Sequence, residues 1–355
     1  MLVAGGGPAG CAAAATVVRA GAHAAMLDAG NGSVRVGEGA APGTPQLIEE
    51  IFGGAGGFDD SSHVPCPAIT SAWGSEQPAV TDHMLNPLGV GWNLDRTRFD
   101  ADLQAVCEGL GVEVVTGAKV SRQQLYSSNG PGGTVLVDAT GRGARVARLM
   151  GSRKLHIDRL VALWAIWSVD ARDSSAGTAV EAVRDGWWYS ALLPRSQRIV
   201  VYLTDADLLP GEPRARGELA SSAKRLDLVG ALLGLSAAPE IVVGPSLTSA
   251  RSGWLGRFSG PGWLAAGDAA VTYDPLSGRG ITCALLTGRS AGEAAVAMLG
   301  GDDQRAATEQ HEGLIAHVID DTISQRAVIY RTETRWPSAP FWSRRRAPER
   351  QRAPG

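Results

Sequence analysis

A chain of 355 residues, with 44% apolar and 19% charged residues, has the composition of a globular protein large enough for one two-part domain or two domains. Its formal net charge of -3 gives no global attraction to nucleic acid or to an anionic membrane, and no partner of either kind is expected. No apolar run is long enough to span a bilayer, the N-terminus lacks a basic segment leading into an apolar one, and no CxxC pair or Cys/His cluster has metal-ligand spacing. A soluble, cytoplasmic chain without a metal site is therefore expected, with Cys11, Cys66, Cys107 and Cys283 as reduced, buried or half-buried thiols. The 46 glycines, against a usual share of about 7%, imply many tight turns and close backbone approaches. Lys119, Lys154 and Lys224 are the only lysines among 33 basic residues, which makes any lysine chemistry easy to locate.

Residues 1–4 (MLVA) predict a short buried strand, residues 5–10 a glycine turn, and residues 8–20 a helix of small side chains closed by Gly21. Residues 24–28 predict a second strand ending in an acid. A short helix over 44–52 and a glycine-rich loop at 53–57 follow. Residues 68–93 read as short strands and loops. Residues 96–110 have helical spacing through Phe99, Leu103, Val106, Cys107 and Leu110, and 112–115 and 134–141 predict strands. From about 158 to 206, apolar runs separated by polar or Gly/Pro turns predict an antiparallel sheet. Helices are expected over 214–234, 278–299 and 303–332, with strands at IVVG and WLAAGD. The segment SRRRAPERQRAPG, charged and proline-bearing, is expected to be loosely packed.

Two segments carry the chemistry. Gly5-Gly6-Gly7-Pro8-Ala9-Gly10 follows an apolar strand, opens a helix, and precedes Asp28 at the next strand end by 18 residues. In a dinucleotide fingerprint, Gly5 permits the tight turn, Gly7 admits a pyrophosphate to the backbone, and Gly10 lets helix and strand approach. The helix start directs N–H groups and positive dipole at phosphates, with Pro8 and Ala9 in its first turn. Asp28 accepts from ribose hydroxyls. Far downstream, Gly267-Asp268-Ala269-Ala270 follows a strand, and Asp274-Pro275-Leu276-Ser277-Gly278-Arg279-Gly280-Ile281 opens a long helix. A second nucleotide-contacting loop at the far end of the chain separates FAD from NAD, and FAD is the expected cofactor. The loop at 53–57 lacks a preceding strand, so no dedicated NAD(P)H domain is visible.

With GGGPAG, DATGR at 138–142 and GDAAxxxDP on the page, residues 1 to about 300 resemble the flavoprotein monooxygenase superfamily, which includes aromatic hydroxylases and flavin-dependent tryptophan halogenases. The resemblance implies a two-lobe α/β fold: a Rossmann-type FAD lobe, a mostly antiparallel substrate lobe, and C-terminal helices. It places the FAD lobe at 1–70, 96–157 and 255–300, the substrate lobe at 71–95 and 158–254, a C-terminal helix at 301–335 and a tail at 336–355. By resemblance, Asp268 contacts the ribityl chain and Pro275 to Ile281, with Gly278 and Gly280, lies against the isoalloxazine. Arg35, Gly37 and Glu38 match the loop beside the flavin, Arg96 the R-x-x-F-D segment approaching it, and Ala139 to Gly141 a turn near the nucleotide. Asp28 stands where Glu is commoner, and GRGI replaces a small-residue pair.

SAWG (71–74), GWNLDRTRFD (91–100), DGWWYSALLP (185–194) and TDADL (204–208) further resemble the flavoproteins that mature quinone-containing amino-acid oxidases, implicated in oxygenating a Trp side chain of a partner protein. The resemblance implies reduced flavin, O2 and a flavin C4a-hydroperoxide acting on an electron-rich ring. That ring is expected to be an indole or tryptophan unit, either in a small molecule or in a peptide or protein. NAD(P)H or a separate flavin reductase is left open as donor. Halogenases of this kind need a lysine roughly 70–80 residues in and a W-x-W-x-I-P segment. No lysine precedes Lys119, and Trp164-Ala-Ile-Trp167 has other spacing, so halogenation is disfavoured. A natural-product hydroxylase, a reductase of the prenyl-reductase kind and a non-catalytic accessory protein remain alternatives. Glu38, His63, His83 and Asp274 are candidates to raise ring nucleophilicity. Glu38 and Asp274, which lie in the motif loops, are taken as the catalytic pair, without assigning either as the base. Trp73, Trp187 and Tyr189 are the substrate candidates. Trp164, Trp167 and Trp188 belong to the same predicted sheet, in which Trp187 and Trp188 must point to opposite faces.

Overall fold

The computed structural model describes residues 1–30, 35–121, 134–170, 177–234, 240–301 and 304–346. The chain divides into two compact units, Met1–Asp59 with Arg96–His156 and Gly253–Thr322, and Asp60–Asp95 with Ile157–Ser252 and Ile323–Gly355.

In the first unit, parallel strands Leu2–Ala4, Ala25–Asp28, Glu113–Thr116, Leu136–Asp138 and Trp263–Ala265 form one sheet, with Ser259–Gly260 antiparallel at its edge. Leu2–Ala4 sits centrally between Ala25–Asp28 and Leu136–Asp138. Buried on both faces, it reads as an unbroken apolar run, as strands in covered parallel sheets do. Helix Pro8–Arg19 begins on a proline, which has no N–H to leave unbonded there, and nine of its residues are buried. Their small side chains let helix Gly280–Gly300 come down to backbone contact: a Cβ on Gly288 would sit 2.3 Å from the Ala9 carbonyl oxygen, and one on Gly292 2.7 Å from that of Ala13.

The second unit is built on a seven-stranded sheet. Leu160–Ser168, Thr178–Val183, Gly186–Leu193 and Gln197–Asp205 are the antiparallel strands that the apolar runs predict, and Glu240–Ser249, expected only as a strand, joins them against Leu160–Ser168. Strand Ala68–Ala72 adds parallel to Thr178–Val183, and Ala79–Asp82 follows at the edge. This pairing assigns residues 60–70 to the second unit, where the sequence groups them with the first.

Two further expectations are corrected. The helix expected over 214–234 is two helices, Glu212–Lys224 and Leu228–Gly234. Glu181 starts the second: its buried carboxylate accepts N–H bonds from Asp227, Leu228 and Val229 and caps that helix from 46 residues upstream of Asp227. The tail also packs more tightly than its charge suggests. Pro340–Arg346 is a helix with Phe341, Trp342 and Arg345 buried, and Arg345 and Arg344 both bond Asp205. Residues 347–355 of the tail lie outside the described residues.

Candidate active site

The glycine turn in the first unit is shaped by what crowds it. Gly5 has φ +112°, and a Cβ there would lie 2.1 Å from the Ala139 carbonyl oxygen. On Gly10 it would lie 1.9 Å from the Gly5 carbonyl oxygen. Gly7 differs: its nearest neighbour is an Arg35 nitrogen at 4.0 Å, so the backbone stays approachable where a pyrophosphate would lie. The turn therefore fits the phosphate-binding role its sequence implies, with Pro8 and Ala9 starting the helix behind it.

Asp28 lies at the end of the second strand, and Gln104, which the motifs do not point to, reaches it from helix Arg96–Gly109. Its amide Nε2 donates to the Asp28 carboxylate at 2.9 Å and to the Gly6 carbonyl at 2.7 Å. Arg35 stands 3.6 Å from Asp28 and bonds Asp100 at 2.5 Å. Burial opposes charge on Arg35, yet Asp100 and Asp28 raise its pKa above the ordinary value. Arg96 bonds the same Asp100 at 3.2 Å and the Gly37 carbonyl at 2.7 Å. One buried carboxylate thus fixes both arginines that the sequence singles out. Glu38, also buried, turns back to accept from the Gly37 N–H at 3.0 Å. Cys11 lies behind the turn; its hydrogen bond with Cys107 and its burial push the thiol well above its usual pKa, so it stays protonated and serves packing.

The downstream segment arrives at the same place. A Cβ on Gly267 would sit 2.7 Å from Ala9 Cβ, so the Gly267-Asp268 turn rests on the first turn of the fingerprint helix. Thr287 on helix Gly280–Gly300 accepts from the Gly267 N–H at 2.9 Å. Arg142, beside Gly141, approaches the Asp268 carboxylate at 3.4 Å. Asp274 caps the turn Pro275–Ser277 by accepting from the Leu276 N–H at 3.1 Å; Gly278 follows with φ +62°, and Gly280 and Ile281 open the helix. Tyr273, just before Asp274, is 4% exposed, and its hydroxyl lies against the buried Cys283 thiol. Burial raises its pKa well above the usual value, which keeps the hydroxyl neutral.

The second unit holds the remaining candidates. Trp187 is 1% exposed, and its indole N–H donates to the Tyr330 hydroxyl at 3.1 Å. Trp73 packs edge-on against Trp187, Tyr330 and Trp342 and donates to the Ile329 carbonyl. These two substrate candidates are thus built into an aromatic core and do not form an open wall, because a buried indole has to place its N–H. Trp188 points to the opposite face and stacks on Tyr202 at 4.8 Å, in a core shared with Trp167 and helices Glu212–Lys224 and Leu228–Gly234. Tyr189 is half-buried. His63 is buried and accepts from the Asp95 N–H at 3.3 Å, a bond to main chain. His83 keeps a buried Nδ1 without a partner among the described residues.

Fold and relatives together point to one class: the chain is similar to FAD-dependent oxidoreductases, among them flavin-dependent halogenases and monooxygenases. Within that class it is 26% identical to the putative FAD-dependent oxidoreductase LodB of Marinomonas mediterranea, over 98% of this chain and 96% of that protein. It is 25% identical to the tryptophan 2-halogenase of Chondromyces crocatus over 88% of this chain, but spans only 64% of that enzyme. Among solved structures, the peptidyl tryptophan dihydroxylase QhpG, essential for tryptophylquinone cofactor biogenesis, superposes with TM-score 0.79 at 26% identity, covering 99% of this chain and 79% of QhpG. The flavin-dependent halogenase CmlS superposes with TM-score 0.82 at 23% identity, covering 97% of this chain and 67% of CmlS. No protein-family model matches the chain. Among the described residues no helix is long and apolar enough to cross a membrane.

Proposed function

We propose that this chain is an FAD-dependent monooxygenase that hydroxylates a tryptophan side chain carried on a peptide or protein. The observation that carries the reading is the match, at 26% identity over 98% and 99% of this chain, to LodB and to the peptidyl tryptophan dihydroxylase QhpG, set beside the absence of any lysine in residues 1–118.

In this reading Gly5, Gly7 and Gly10 hold the dinucleotide, Asp28 with Gln104 behind it takes the ribose, and Asp268 takes the ribityl chain. Residues 275–281 back the ring system, with Arg35, Arg96 and Gly141 lining the approach. Bound and reduced FAD supplies the oxygen chemistry with O2. The protein positions the indole and excludes water. Glu38 and Asp274 are buried carboxylates within the motif loops and serve as acceptors that raise ring nucleophilicity; Tyr189 remains the aromatic substrate contact. Electrons come from NAD(P)H or from a separate flavin reductase, and the site of action is the cytoplasm.

The purified chain is reconstituted with FAD, reduced, and mixed with O2 and tryptophan-bearing peptides from proteins encoded beside it, and the products are weighed intact. A gain of one or two oxygen atoms on tryptophan is expected. A halogen gained in the presence of chloride or bromide, or no change with any indole, overturns the reading.

A further inference from the structure

Lys154 stands on the edge strand Lys154–His156, which pairs antiparallel with Gly253–Leu255; that strand in turn pairs with Val271–Thr272, directly after the Gly267-Asp268 turn. The strand carries the lysine stem to the back of the turn. There the ammonium donates to the Asp268 main-chain carbonyl at 2.5 Å and to the Arg142 carbonyl at 3.2 Å. Arg142 in turn approaches the Asp268 carboxylate at 3.4 Å. One side chain therefore ties together the 141–143 and 267–269 turns, which belong to segments more than 100 residues apart.

The geometry points to Lys154 as a positioning residue for the flavin, one that fixes how the Asp268–Ala269 peptide faces the cofactor. This rests on the FAD reading above. In a trans peptide the C=O and the following N–H point in opposite directions, so holding the Asp268 carbonyl toward Lys154 turns the Ala269 N–H to the other side of the turn. Bonds from an ionised donor are the stronger kind and hold that orientation against rotation. A compact ammonium with three donors on a flexible stem serves two carbonyls at once, which a planar guanidinium fork does not match. In a chain whose basic residues are otherwise almost all arginine, lysine occupies this half-buried place.

Burial pulls the Lys154 pKa down to about 8, with the Asp268 and Asp138 carboxylates opposing that shift and Arg142 adding to it. The charge that grips the turn is therefore present at neutral pH and is lost as pH rises through about 8.

FAD affinity is read by flavin fluorescence quenching, with thermal unfolding of the FAD-free protein alongside, for wild type, Lys154→Met and Lys154→Gln. Lys154→Met is expected to weaken FAD binding about tenfold at pH 7 with little change in unfolding temperature, and Lys154→Gln, a neutral donor, to lie between. Wild-type affinity should fall from pH 7 to pH 9, while that of Lys154→Met stays level. FAD affinity within about twofold of wild type in Lys154→Met, or a level wild-type pH profile, overturns the proposal. A level wild-type profile overturns it even where neither variant folds. A wild-type chain that binds no FAD overturns the parent reading and this one with it, whereas equal binding by wild type and Lys154→Met overturns this one only.

Discussion

The first and second units build their interiors by opposite means. Behind the glycine turn, Gly5, Gly10, Gly288 and Gly292 let backbone meet backbone, and Gly7 leaves the opposite side open. In the second unit Trp73, Trp187, Tyr330 and Trp342 fill the space with rings and satisfy their N–H groups internally. Removing side chains makes room for a ligand; massing aromatic side chains closes a core.

The sharpest way to break this comparison is Trp187→Ala. If Trp187 is core, the change lowers the free energy of unfolding in urea by about 4 kcal/mol. If it lines an open substrate wall, stability holds and only turnover changes. Next comes Gly288→Ala, which drives a methyl group into the Ala9 carbonyl 2.3 Å away. A cost of about 3 kcal/mol is expected, with weaker FAD binding, because the rigid helix backbone has nowhere to go. Unchanged stability and affinity would show that this close packing is not needed.

His311 tests how the first unit tolerates a polar group deep inside. It is fully buried; its Nε2 donates to the Ala265 carbonyl at 3.0 Å and its Nδ1 accepts from the Ser290 hydroxyl at 3.1 Å. Burial lowers its pKa to about 4 from 6.5, so the unfolded chain takes up a proton first as the pH falls. Its contribution is intact above pH 6.5 and erodes by about 1.4 kcal/mol per pH unit on the way down to about 4. Urea midpoints at pH 7 and pH 5 should show wild type losing about 2 kcal/mol more than His311→Gln. Equal losses would mean the ring is not held neutral.

The smallest effect is the most local. Gln104→Leu removes the donor that orients Asp28 and is expected to weaken FAD binding by about 1 kcal/mol while leaving the unfolding temperature nearly unchanged. Equal affinity by titration would mean that Arg35 by itself fixes the acid.

Local physics settled much of this protein in its sequence. Strand, glycine turn and helix over residues 1–19 are encoded within a few residues of one another, and so are the apolar runs of the second sheet. The cap on Asp274's turn and the opposite facing of Trp187 and Trp188 follow from the same short range. Tertiary structure decided the rest. Gln104 holds Asp28, Lys154 grips the Asp268 turn, Glu181 splits a predicted helix, and Asp205 draws the arginine-rich end into a packed helix. Each of these is a polar side chain meeting a group dozens of residues away. A one-dimensional pattern records which residues are apolar and how they are spaced, but not which distant backbone carbonyl, amide or carboxylate a buried donor or acceptor must find.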